Sequence, residues 1–430
     1  MSPKTDHMRP YEYPIARRWN ILLIAVFCTF LLVTAAGYAH FIIFIQREVV
    51  AHPESAEQLL GRRCDHGFPR PTFRKFLTGA FQKQLEAACQ DNIVGRDLIL
   101  KRYRDVGRMI NRRLLGLFPR EESALLPMGG NVAAPRDLSR LLWLPAWYEP
   151  TKLPLLQARA DYYNQLVQRE PQVRVYVFAD LGATAWWLQS NPYPGGVMRL
   201  LDDGKYASAF ESMLTRGVTY SWIGRGLPAA EELTAYYQTD HHWTMAGSWM
   251  AYRYIHDAML ANTPVLGLAI ARVPLQDIPG LEYQGTRAYR AVFAGMSDRV
   301  QDGAFGLPPL IVDVPSISSD KRSLHRQDYL NGSYSRIPFH NHYADYFGVD
   351  YPLIHYQNPA STNDRNLLVI GDSMDNALEP LLASHYRHAY FADPRQFDEN
   401  LDTFIKQQAI HDVVFIGQQG WILGLSKPLE

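Results

Sequence analysis

Apolar positions change their spacing three times along the chain. Residues 21–45 carry no formal charge, with Thr29, Thr34 and His40 as the polar exceptions, and would measure about 37 Å as a helix, enough to span a bilayer with some tilt. Farther on, Ile99, Tyr103, Val106, Ile110, Leu114 and Leu117 recur at helical spacing, with Leu98 and Met109 widening the stripe. Lys101, Arg104, Arg108 and Arg112 lie on the opposite face, and the pattern predicts an amphipathic helix. Residues 119–135, rich in proline, glycine and small side chains, read as a loop or linker. From about residue 150 a third regime begins: helix over 153–169, strand over 173–179, a four-residue apolar run at 367–370, helix from Met374 to about 385, strand 388–391, helix 397–408 and strand 413–416. Strands alternating with helices predict a parallel sheet covered on both faces. Pro380 should kink or shorten the helix after 374. The stretch 263–365 has only short apolar runs such as Leu310-Ile311-Val312, and is expected to decorate one edge of the sheet and shape a cleft.

The chain therefore divides into residues 1–20, a span at 21–45, a helical region at 46–145 and an α/β domain at 146–430. Lys4, Arg9, Arg17 and Arg18 precede the span, which places the N-terminus in the cytoplasm and the remainder outside. A cleaved signal peptide ending near Gly37-Tyr38-Ala39 is the rival reading, but apolar sequence continues to Ile45. Cys28 lies within the span, leaving Cys64 and Cys89 as an even pair in the exported part. They are either a disulfide or two buried thiols. Composition is ordinary for a globular protein, 47% hydrophobic and 20% charged with formal net charge zero. No basic excess points to nucleic acid.

Candidate chemistry sits at two places. Gly371-Asp372-Ser373 follows the apolar run and predicts a strand-to-helix turn presenting Ser373 at the first helical residue, near unpaired N–H groups at the sheet's carboxyl edge. The bland alternative is a capped turn. A serine nucleophile needs an imidazole base held by a carboxylate, and Thr239-Asp240-His241-His242-Trp243-Thr244 supplies one. In an extended segment Asp240 and His242 share a side while His241 points away; Thr244 would cap the following helix.

Together, Asp240-His241-His242-Trp243 and Gly371-Asp372-Ser373 resemble the DHHW and AlgX/AlgJ-like proteins, SGNH-hydrolase-like enzymes that O-acetylate exopolysaccharides outside the bacterial inner membrane. The resemblance covers roughly residues 150–425, with the matching letters confined to the two motifs. It implies an SGNH-like fold, Ser373 as nucleophile, His242 as base and Asp240 as orienting acid. It implies no cofactor, and as partners a polysaccharide acceptor and a membrane-bound O-acyltransferase supplying the acyl group. Gln418, Gln419 and Gly420 are candidates for an oxyanion donor beside the Ser373 N–H. His241 and Trp243 either line a sugar site or pack the loop. Tyr236, Tyr237, Trp186, Trp187 and Trp222 carry the same two readings. Metal ligation by Asp240, His241 and His242 is disfavoured because adjacent histidines reach one ion poorly. Besides the acyltransferase, an acetylesterase with the same triad and a non-catalytic glycan-binding scaffold remain open.

Overall fold

The computed structural model describes residues 125–129, 131–135, 137–144, 149–191, 205–291, 296–314, 329–334 and 340–425, together with helical residues 25–29, 84, 106, 109 and 113. The chain forms two compact units, Met1–Asp105 and Val106–Glu430. In the first, residues 25–29 are helical and exposed; the rest of the expected span, and both Cys64 and Cys89, lie outside the described residues. Among the described residues no helix is long and apolar enough to cross a membrane.

The second unit corrects the helical reading of 46–145 at its end. Strands β1 (Leu125–Gly129), β2 (Val132–Pro135) and β3 (Leu142–Trp143) form an antiparallel sheet where a linker was expected. Val132 and Ala134, both fully buried, pack with Leu141, Ala288 and Ala291. Small side chains here are buried in a packed cluster; they do not mark a loop.

The main sheet has seven strands. In chain order β4 (Arg174–Asp180) and β5 (Val218–Trp222) come first, then a separate hairpin of β6 (Gln276–Tyr283) and β7 (Asp298–Asp302). β8 (Ile311–Asp313), β9 (Ile354–Gln357), β10 (Asn366–Gly371), β11 (His388–Ala392) and β12 (Asp412–Gln418) follow. Their order across the sheet is β5-β4-β12-β10-β11-β9-β8. The first five run parallel, as expected. β9 and β8 add an antiparallel edge drawn from the stretch that looked irregular.

Period-two geometry explains the apolar runs in the central strands. Leu367 and Val369 of β10, and Val414 and Ile416 of β12, face one core, closed by the helices Gly182–Ser190 and Met245–Leu260. Leu368 and Ile370, with Val413 and Phe415, face the other, closed by Leu153–Arg169 and Leu401–Gln407. Alternate side chains thus fill both layers, so every position is apolar.

Two element boundaries differ from expectation near the serine. Residues 373–378 are turns, and the helix begins only at Glu379 (Glu379–Ala383) with Pro380 in its first turn. Proline lacks the N–H that a helix interior needs but fits its start. Ser373 therefore sits in a tight turn and not on a helix. The helix expected from residue 397 starts at Leu401, where Asn400 caps it by accepting from the Thr403 N–H.

Candidate active site

The Asp-His-His-Trp segment is a closed loop, not an extended strand. Tyr236 and Trp243 form an antiparallel bridge, and the Tyr237 N–H donates to the His242 carbonyl at 3.1 Å. Inside the loop Asp240 Oδ1 accepts the His242 N–H at 3.0 Å, an Asx turn. That turn brings the imidazole round so that His242 Nδ1 and Asp240 Oδ1 are 2.5 Å apart. His241 does not point away: its ring centroid lies 3.8 Å from that of His242, tilted by 37°. Thr244 caps the helix Met245–Leu260 as expected, accepting from the Gly247 N–H at 3.1 Å.

The other side of the loop is held by the β6–β7 hairpin and what joins its strands. Asp298 on β7 accepts from the Gln238 N–H, the Thr239 N–H and the Thr239 hydroxyl at 2.6, 2.8 and 2.5 Å. Thr286 donates its N–H to Asp240 Oδ2 at 2.5 Å. Gly285 lies against the same carboxylate; a Cβ there would stand 2.2 Å from the Cβ of Asp240.

Across the cleft, Ser373 Oγ is 2.9 Å from His242 Nε2. Hydroxyl, imidazole and carboxylate form one hydrogen-bonded row, although the two motifs are far apart in sequence. Ser373 is set by its neighbour: Asp372 accepts the Met374 N–H through Oδ1 and the Gln418 N–H through Oδ2, both at 3.0 Å. Asp372 thus pins the serine turn to the end of β12, and its side chain is a staple. Gly371 also has a steric reason: a Cβ would meet Asp375 Oδ2 at 2.2 Å.

The electrostatics follow from burial. Asp240 is fully buried, which alone would favour its neutral form. The neighbouring histidines, the His242 bond and the Thr286 N–H outweigh this and hold it well below the usual carboxylate range. With Asp240 ionised, His242 carries its proton on Nδ1 and turns the Nε2 lone pair toward Ser373. Burial, then repulsion from His242, pulls His241 down to about 3, so it is neutral in the resting site. Burial raises Asp372 against its two N–H donors.

The remaining sequence candidates fall apart from one another. Trp243 is 1% exposed and packs the loop into the core, and Tyr236, Tyr237, Trp186 and Trp187 are buried as well. Trp222 is half-buried, with the Arg225 guanidinium 4.3 Å from its ring centroid. Gln418 has its backbone N–H engaged by Asp372, which removes that group as an oxyanion donor. With Gln419 and Gly420 it instead lines a cavity of about 270 Å³ at the ends of β4 and β12, shared with Trp143, Asp180, His241 and Arg287. The Ser373 N–H makes no hydrogen bond among the described residues. Ligand atoms of Asp240, His241 and His242 lie within 4.8 Å of one another, and the polar atoms of Asp240 and His242 are engaged in hydrogen bonds to each other, to the Thr286 N–H and to Ser373.

Tyr343, which no motif announced, closes the site. Its ring lies parallel to His242, centroids 3.8 Å apart at 10°, and its hydroxyl donates to the Ser373 carbonyl at 2.8 Å.

Solved structures share this fold. A DHHW family protein from Eubacterium siraeum superposes with a TM-score of 0.54 at 18% identity, over 69% of this chain and 93% of its own. PatB1 of Bacillus cereus, solved with a sulfonyl adduct, gives 0.53 at 20% identity over 69% and 97%. The O-acetyltransferase domain of Pseudomonas putida AlgJ gives 0.39 at 11% identity over 69% and 99%. The fold assignment rests on the first two, which share a parallel-rich sheet flanked by helices with this chain. No family model matches the sequence, and no curated protein matches it.

Proposed function

We propose that this chain is an O-acyltransferase that acetylates a polysaccharide through a serine ester, with Ser373 as nucleophile, His242 as base and Asp240 as its orienting acid. The observation that carries the reading is the row from Ser373 Oγ to His242 Nε2, 2.9 Å, and from His242 Nδ1 to Asp240 Oδ1, 2.5 Å.

As Oγ attacks the donor's carbonyl carbon, its proton passes to Nε2, and the resulting imidazolium is stabilised by ionised Asp240. The imidazolium then protonates the departing group, leaving an acyl-serine. A sugar hydroxyl attacks that ester, gives its proton to His242 and releases Ser373 with its hydrogen restored. The Ser373 N–H would donate to the oxyanion formed in each half-reaction, a contribution of about 3 kcal/mol per donor in other systems. The charge-free span at 21–45 behind Arg17 and Arg18 supports an inner-membrane anchor with the α/β domain outside. The family resemblance supports a membrane-bound O-acyltransferase as the acyl source.

Ser373→Ala and His242→Ala should each lower hydrolysis of p-nitrophenyl acetate by several orders of magnitude, and an arylsulfonyl fluoride should label Ser373 in the unmodified protein alone. Activity retained in both variants would sink the triad. Mass spectrometry of acetylated sugar against free acetate, with and without oligosaccharide, separates transferase from esterase. An inert protein that still binds glycan would favour the scaffold reading.

A further inference from the structure

Tyr343 makes two contacts that the reaction above leaves unused. Its ring, on the short helix His342–Phe347, is 2% exposed and lies flat on the His242 imidazole, while its hydroxyl binds the carbonyl of the nucleophile's own residue. Burial holds the phenol in its protonated form, so the hydroxyl is a permanent donor to that carbonyl.

A phenol face carries negative charge density and attracts a cation within about 6 Å of its centroid. A neutral imidazole gains little from this; an imidazolium gains more. In acyl transfer the imidazolium exists only after the serine proton has moved, so the stack strengthens along the reaction coordinate, where an interaction accelerates the step.

We propose that Tyr343 is a positioning residue whose ring favours the imidazolium of His242 and whose hydroxyl fastens the nucleophile's backbone to the same platform, so that base and serine are held as one unit. The inference rests on the acyl-transfer reading, and its test is separable from that reading. Among the described residues, the other groups that face His242 are Asp240 and His241 on its own loop, and Ser373 and Asp372 on the serine turn; all are unchanged in the comparison that follows.

In the full-length protein, Tyr343→Phe keeps the ring and loses the hydroxyl. Replacing Tyr343 by pentafluorophenylalanine keeps a ring of similar shape but reverses its charge distribution. NMR titration of the His242 side chain should give a midpoint at lower pH for the fluorinated ring than for phenylalanine, by a factor of roughly three to thirty in proton affinity. The acid limb of the kcat/KM profile for p-nitrophenyl acetate should move the same way. Tyr343→Phe should leave that limb in place and slow sulfonyl fluoride labelling of Ser373 several-fold. Coincident midpoints for the two variants would overturn the role of the ring, and unchanged labelling in Tyr343→Phe that of the hydroxyl. Shifted midpoints in a protein without ester turnover would refute the acyl-transfer reading and leave the ring effect standing.

Discussion

Gly285 shows how tightly the carboxylate of the site is seated. A methyl there would overlap the Asp240 Cβ, at 2.2 Å, and that atom belongs to the rigid part of the side chain. Gly285→Ala should therefore cost about 1–3 kcal/mol in stability, read by thermal unfolding. It should also cost about 100-fold in ester turnover, because displacement of an orienting group by an ångström is expensive; near-normal turnover would show that the carboxylate can shift harmlessly. The three members of the row were legible because each belongs to a short contiguous word whose chemistry has few uses. Gly285, Thr286, Asp298 and Tyr343 were not, since a lone glycine or tyrosine in an irregular stretch acquires its role only when distant segments meet. The Asx turn likewise reversed the expected direction of His241, because a side chain competed with the backbone for the His242 N–H.

Among the elements, the serine turn and the helix behind it bury two acids outside the Ser373-His242-Asp240 row. Glu379 is pushed up to about 8, by burial first, against the Tyr356 hydroxyl bond and with added repulsion from Asp350. Asp375, buried beside it, is raised well above the usual range. A carboxyl whose folded value exceeds its unfolded one favours the folded state while it is protonated. Its contribution is complete below about pH 4.5, the ordinary glutamate value, and is lost as pH rises through about 8. The melting temperature should accordingly fall between about pH 4.5 and 8, and Glu379→Gln should flatten that decline; parallel profiles for the two proteins would refute the assignment. Pro380 was visible in the sequence as a helix breaker, but where the helix would restart was not, since that depends on Asp372 closing its own turn onto Met374 and Gln418. The β1–β2 hairpin was misread because its small side chains, among them Ala134 buried with Ala288 and Ala291, have the composition of a loop.

At the scale of the whole molecule, the two-sided core makes central strands intolerant of truncated side chains. Leu368 is fully buried in the layer opposite the serine-side helices, and Leu368→Ala should cost about 2–5 kcal/mol by denaturant unfolding. Turnover per folded molecule should be unchanged, because that layer carries none of the row. The parallel centre of the sheet was legible since doubly covered strands are continuous apolar runs. The antiparallel edge was not, since β8 and β9 are short and half-exposed and alternate too weakly to stand out.

β12, third of the seven strands across that sheet, comes last among them along the chain. β12 separates β4 from β10, so neither half can be joined until residues 412–418 have left the ribosome and, in an exported chain, the translocation channel. The sheet floor beneath Ser373, tied to β12 through the Asp372 bond to the Gln418 N–H, is complete only then, and a chain ended before residue 412 is left without it.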